Sequence, residues 1–271
     1  MKKILSVLLI GVLMVISACS SNIVNESKQK TSVYSWNREL FEDLSVMEQL
    51  SDYRIDRIHQ GFFPSDFEGD EMPELVSALR KQGIETAALF GDPSWKNADE
   101  VIEWTIKPMV EYNGRVGEKA RIDTAVYDIE WYTSGEVDEE HFTDYVSLMT
   151  VVCEEAHKND VQVILCVPYW LTDISEDLFK KLIAQADEVS IMNYDVNHEA
   201  DHLVEINALT AEVGVKIQSA FETQPVGGDV TESITYNQRG KDALIKAAEE
   251  LREKCNVGIA YHHLSALLEL K

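Results

Sequence analysis

Basic residues are scarce in this sequence of 271: Lys and Arg number 24 against 48 Asp and Glu, a formal charge of −24. Nucleic-acid binding, which rests on clustered Lys and Arg at the phosphate backbone, is excluded. A second, basic attachment to anionic lipid is disfavoured for the same reason. The acidic balance suits a solvated surface that keeps an exported protein soluble. Cysteine is sparse as well, at four: Cys19, Cys153, Cys166 and Cys255. There is no Cys-x-x-Cys pair, and the three beyond Cys19 are an odd number, so neither a disulfide framework nor a zinc site is indicated. Cys166 lies in an apolar run and reads as a small buried hydrophobe, while a Cys153–Cys255 pairing stays open. No Gly-rich phosphate loop follows the first strand, which removes the main support for a dinucleotide fold. No Gly-x-Ser-x-Gly nucleophile elbow occurs, and the histidines show no His-x-His or His-Glu-x-x-His spacing. No cofactor and no metal are expected.

The longest apolar run, 4–16, is too short to span a bilayer as a permanent anchor, where about 20 residues are needed. Lys2 and Lys3 precede it, and Ile16-Ser17-Ala18-Cys19 closes it. This arrangement resembles the bacterial lipoprotein signal. The resemblance implies that Cys19 is acylated and becomes the mature N-terminus, which makes the membrane a partner, at its extracytoplasmic face. Residues 1–18 are then the signal, and losing its two lysine charges takes the remaining chain to −26. The polar stretch 19–31 reads as a tether. Residues 32–271, with no long linker among them, read as one domain.

Hydrophobic residues make up 45% of the chain, enough for a large core. Beyond the tether, short apolar runs alternate with amphipathic stretches. Strands are expected at 33–36, 54–62, 84–90, 122–131, 161–167, 188–194, 215–221 and 257–262. Helices are expected at 39–53, 70–82, 98–112, 138–158, 175–186 and 198–212, with a turn and helix across 232–254 and a short closing helix. Gly83 and Gly214 read as helix stops, and Ser175 as an N-cap. Eight β/α units in strict alternation imply a parallel sheet with outer helices. Eight units permit closure, so the predicted fold is a single (β/α)8 TIM barrel of α/β class; an open doubly wound sheet is the alternative.

In such barrels the site gathers at the C-terminal ends of the strands. Reading those ends in order gives Trp36; His59 and Gln60; Phe90, Asp92 and Trp95; Asp128, Glu130, Trp131 and Tyr132; Tyr169 and Trp170; Asn193, Tyr194 and Asp195; Glu222 and Gln224; Tyr261, His262 and His263. Carboxylates and aromatics recur there. Aromatic faces stack on sugar rings and carboxylates carry the acid–base work of glycosidic cleavage, so the expected partner is a carbohydrate. Substrate contacts are assigned to Trp36, Gln60, Trp131, Tyr169, Asn193, Tyr261 and His262. Alternation puts Val126, Asp128 and Glu130 on one face. Two acids so placed resist ionising together, and one would stay protonated near neutral pH.

The segment Asp123-Thr-Ala-Val-Tyr-Asp128-Ile-Glu130 and the segment Met192-Asn-Tyr194-Asp195 together resemble glycoside hydrolase family 18, the chitinase-like barrels. The family pattern D-x-x-D-x-D-x-E is met at Asp123, Asp128 and Glu130, with Val126 in place of its middle acid, and M-x-Y-D is met in full. The resemblance implies that Glu130 protonates the leaving oxygen and Asp128 orients an N-acetyl group whose carbonyl attacks. Tyr194 and Asp195 would contact that group and the sugar. Phe90-Gly91-Asp92-Pro93 stands where the family has Ser-x-Gly-Gly, and Tyr261 and His262 where it has a Trp. A second arrangement is open: Glu130 and Glu222, ending strands four and seven, could be the acid/base and nucleophile of a retaining glycosidase. The chain is expected to be a monomeric, surface-anchored glycosidase acting on an N-acetylated glycan of chitin, peptidoglycan or N-glycan type. The rival is a barrel that binds sugar without cutting it.

Overall fold

A computed structural model describes residues 29–271. The leader, Cys19 and most of the tether lie outside them. Eight parallel strands close into a barrel in sequence order: β1 (Thr31–Ser35), β2 (Arg57–Gly61), β3 (Glu85–Phe90), β4 (Thr124–Tyr127), β5 (Gln162–Pro168), β6 (Glu188–Met192), β7 (Lys216–Glu222) and β8 (Gly258–His262). Closure is made by β8 against β1, with Thr31 opposite Ile259 and Val33 opposite Tyr261. The predicted (β/α)8 barrel is therefore the fold. β1 starts at Thr31, one residue inside the expected tether.

Helices α1 (Arg38–Glu42), α2 (Val46–Gln49), α3 (Met72–Lys81), α4 (Ala98–Trp104), α5 (Ile106–Arg115), α6 (Glu139–Lys158), α7 (Leu171–Ile174), α8 (Glu176–Ile183), α9 (Glu199–Val213), α10 (Lys241–Cys255) and α11 (Leu264–Glu269) lie along the chain between and after the strands. Each long one shows its local cause. α3 buries Met72, Val76 and Leu79, one face at helical spacing. α6 starts where the Asp138 side chain accepts from the His141 N–H, carries Glu139 and Glu140 in its first turn, and ends on His157 and Lys158. α9 stops at Gly214, whose φ of 81° suits a residue without Cβ. None of the described helices is long and apolar enough to cross a membrane.

Two expected helices are broken. Within 39–53, Asp43 Oδ1 accepts from both the N–H and the hydroxyl of Ser45, and this local turn divides α1 from α2. Within 98–112, Thr105 bonds back to the Val101 carbonyl at 2.6 Å and Pro108 offers no N–H to the turn before it, so the chain kinks between α4 and α5. Ser175 stands at the α8 N-cap position but makes no side-chain capping bond.

The strands read as nearly continuous apolar runs because both faces are covered. Outward residues such as Val33, Ile58, Tyr127, Leu165 and Ile191 pack with the helices. Inward residues Tyr34, Ala87, Leu89, Val126, Ile164, Cys166, Met192, Ala220 and Ala260 fill the barrel. The N-terminal end is closed by Arg57, whose guanidinium reaches Glu188 at 2.8 Å and Glu85 at 3.3 Å. Cys153, Cys166 and Cys255 are all free thiols, which settles the open pairing against a disulfide.

Candidate active site

β4 ends at Tyr127, four residues earlier than expected. Pairing runs one step further, since the Asp128 N–H donates to the Phe90 carbonyl at 2.8 Å. The two backbones meet where Gly91 passes Asp128: a Cβ on Gly91 would lie 2.3 Å from the Asp128 carbonyl oxygen. Only glycine permits that approach. After Ile129, which packs outward, the chain turns into a single 3-10 turn, Trp131–Thr133.

Asp128 follows Val126 on the inner face, above an apolar layer, and its Oδ1 is buried with no hydrogen-bond partner among the described residues. Burial first, and the charge of Glu130 second, push its carboxyl up to about 7, with His262 opposing. Asp128 therefore keeps its proton up to about neutral pH. Tyr194 from the end of β6 enters the same space. Its phenol is raised by burial and then by the charges of Glu222, Asp128 and Glu130. Beneath them Tyr34 bonds Ser190 at 2.7 Å and the Cys166 thiol at 3.0 Å.

Glu222 and His262 join this cluster from β7 and β8. Glu222 Oε2 and His262 Nδ1 are 2.8 Å apart. Glu222 Oε1 accepts the backbone N–H of Thr223 at 2.8 Å and of Gln224 at 2.7 Å. Both oxygens of Glu222 are occupied, which is a poor arrangement for a nucleophile and a good one for holding an imidazole.

Six assignments from the sequence fall elsewhere. Trp131 stacks on Phe142 of α6 with ring centroids 5.8 Å apart and planes within 13°, so it packs behind the mouth; Tyr132 points inward instead, its ring against Trp170 and its hydroxyl toward Met192 Sδ. Gln60 shares the outward face of Ile58 and bonds the Gly61 carbonyl; His59, one residue earlier, is the inward one, edge-on to Tyr34. Asn193 is buried and tied to the Glu199 carbonyl, Ser219 and His202. Tyr261 is 3% exposed and wedged between Tyr53 and Phe221. Asp195 leans to the rim, 3.1 Å from His198 Nδ1 and 3.6 Å from His202 Nε2, with Tyr169 stacked on His202 at 3.8 Å. These two form a polar edge beside the central cluster.

Trp36 stands at the mouth, 42% exposed, with its ring against Gly61. It borders a groove of about 270 Å³ along the ends of β1 to β3, walled by Phe63, Trp95 and Trp104 and edged by Asp92 and Glu100. Phe63 is 71% and Trp104 49% exposed. No group of three or more metal-binding side chains converges among the described residues.

No protein-family profile matches the chain, and no curated protein matches it in sequence. Solved structures match over most of its length. A GH18 chitinase from Pseudoalteromonas aurantia shares 11% identity over 88% of this chain and 95% of its own, at a TM-score of 0.55. The PgaB (BpsB) glycoside hydrolase domain from Bordetella bronchiseptica shares 9% over 86% and 93%, also at 0.55. D-psicose 3-epimerase from Clostridium cellulolyticum H10 shares 14% over 84% and 98%, at 0.53. The likeness is one of fold.

Tyr132, Tyr34 and the groove residues Phe63 and Trp104 escaped assignment from the sequence. Tyr132 was readable as a strand-end residue, and counting on by two from Val126 puts it inward and Trp131 outward, as found. Phe63 sits on the loop two residues past β2, and Trp104 at the end of α4, away from the strand ends where a barrel site is sought.

Proposed function

We propose that this protein is a glycoside hydrolase that cleaves a β-linked, N-acetylated glycan, with Glu130 as the proton donor. The observation that carries the proposal is the convergence of Asp128, Glu130 and Tyr194 above an apolar floor at the C-terminal mouth of the barrel. Asp128, protonated near neutral pH, is suited to hydrogen-bond an acetamido group and to take up the charge change as its carbonyl attacks. Glu130 stands at the rim after the strand, half-buried, where a leaving oxygen can reach it. Trp36 and the aromatic groove beside it offer faces for further sugar rings. Likeness to barrels such as the Pseudoalteromonas chitinase agrees with this chemistry. Cys19 acylation, in the same proposal, fixes the enzyme at the outer side of a membrane.

The test is digestion of chitooligosaccharides, peptidoglycan and a high-mannose glycopeptide by the full chain in detergent, with Glu130→Gln beside it. Cleavage is expected, reduced by about 10²-fold or more in the variant, the scale of a lost general acid. Cleavage untouched by the substitution removes Glu130 from the role. Sugar binding with no turnover at high protein concentration moves the barrel to the non-catalytic class.

A further inference from the structure

β7 and β8 bring a second charged pair into the mouth. Glu222 is 4% exposed, and three donors converge on its carboxylate: the N–H groups of Thr223 and Gln224, and His262 Nδ1. His262 is held from its backbone as well, because its carbonyl accepts the Thr223 hydroxyl at 2.6 Å. The ring is boxed by Tyr34 at 5.6 Å, His263 at 5.8 Å and Tyr194 at 6.1 Å between centroids. The carboxylates that face it are Glu222 from β7 and Asp128 and Glu130 from beyond β4. Burial works to keep the imidazole neutral, but the hydrogen bond to Glu222 and these three charges raise its pKa above the ordinary value. Asp128, for its part, rests on Val126, Leu89, Ile164 and Cys166, none of which supplies a strong hydrogen bond to its orphan Oδ1. The charge that favours its ionised form is that of His262.

We propose that His262, clamped by Glu222, is the positioning cation of the mouth: its imidazolium allows Asp128 to ionise over an apolar floor, so that groups from β4, β7 and β8 titrate as one unit. No bond is made or broken within the pair; the imidazolium offsets the negative charge that appears when Asp128 loses its proton. Its catalytic consequence rests on the glycosidase proposal, while the coupling itself does not. Neither Glu222 nor His262 needs to touch substrate.

NMR titration of the full chain reads this directly, through the His262 ring and the Asp128 carboxyl in wild type, Glu222→Gln and His262→Asn. Glu222→Gln is expected to lower the His262 midpoint by about one pH unit or more, and His262→Asn to raise that of Asp128 by a similar amount. The pH profile of kcat should shift with them while KM changes little. An unmoved His262 midpoint in Glu222→Gln, or an unmoved Asp128 midpoint in a folded His262→Asn, overturns the proposal. If His262→Asn does not fold, Glu222→Gln decides alone, since the amide keeps the shape and the oxygen that accepts the two backbone N–H groups. Shifted midpoints in a protein that hydrolyses no glycan would sink the glycosidase proposal and leave the coupling standing.

Discussion

Gly91 and Trp131 show how single side chains set the mouth. Gly91→Ala forces its new Cβ toward the Asp128 carbonyl, and one of the two strand ends must move. A loss of about 1–3 kcal/mol is expected, the usual cost of overpacking. Urea midpoints would show it, and an unchanged midpoint would mean that the two backbones do not meet as described. Trp131→Ala should cost about 3 kcal/mol because it empties the stack on Phe142 and Tyr145. Substrate affinity should hardly change in that variant. Tyr132→Phe should do the opposite, keeping stability while altering turnover, because only the hydroxyl near Met192 and Glu130 is lost.

Elements were more legible than side-chain facings. Alternation of eight apolar runs with eight amphipathic stretches led to the closed barrel, because parallel strands need crossovers and leave no other place for the helices. Helix ends marked by Gly83 and Gly214 were readable from backbone chemistry, and so was α6. Its Asp138 cap predicts that Asp138→Ala costs about 1 kcal/mol of thermal stability. The breaks at Asp43 and Thr105 were hidden, since each depends on a side chain competing with the helix for one backbone group. In the site, counting by two put Asp128 and Glu130 on the face of Val126, while Glu222 and His262 were read as strand-end residues. Gln60 and Asn193 fell on the opposite face because the expected strand ends did not fix which parity points inward. Trp131 was taken for a substrate contact as a strand-end aromatic, although counting on from Asp128 and Glu130 puts it outward, against Phe142.

The whole molecule carries a pH dependence of its own. His59 is buried in the barrel with both ring nitrogens unpartnered among the described residues. Burial first, then the charges of Arg57 and Lys30, hold its pKa well below the ordinary value. Below about pH 6.5 the unfolded chain therefore takes up a proton that the folded one refuses, and stability falls as pH drops through that value. His262 works with the opposite sign: its raised value favours the folded state at low pH and is lost as pH rises through it. His59→Gln should flatten the acid limb of a stability profile between about pH 7.5 and about pH 5.5, read from urea midpoints. A limb as steep as that of wild type would clear His59 of the effect. Thr31 enters at the Arg57-plugged end, so a chain tied down through Cys19 hangs by the floor of the barrel, and its mouth opens at the far pole. Eleven residues between Cys19 and Thr31 reach at most about 40 Å when drawn out. On the proposed Cys19 anchor and glycosidase activity, the protein would be a short-leashed grazer of polymers above the membrane within that radius, with its own lipid on the side away from the opening.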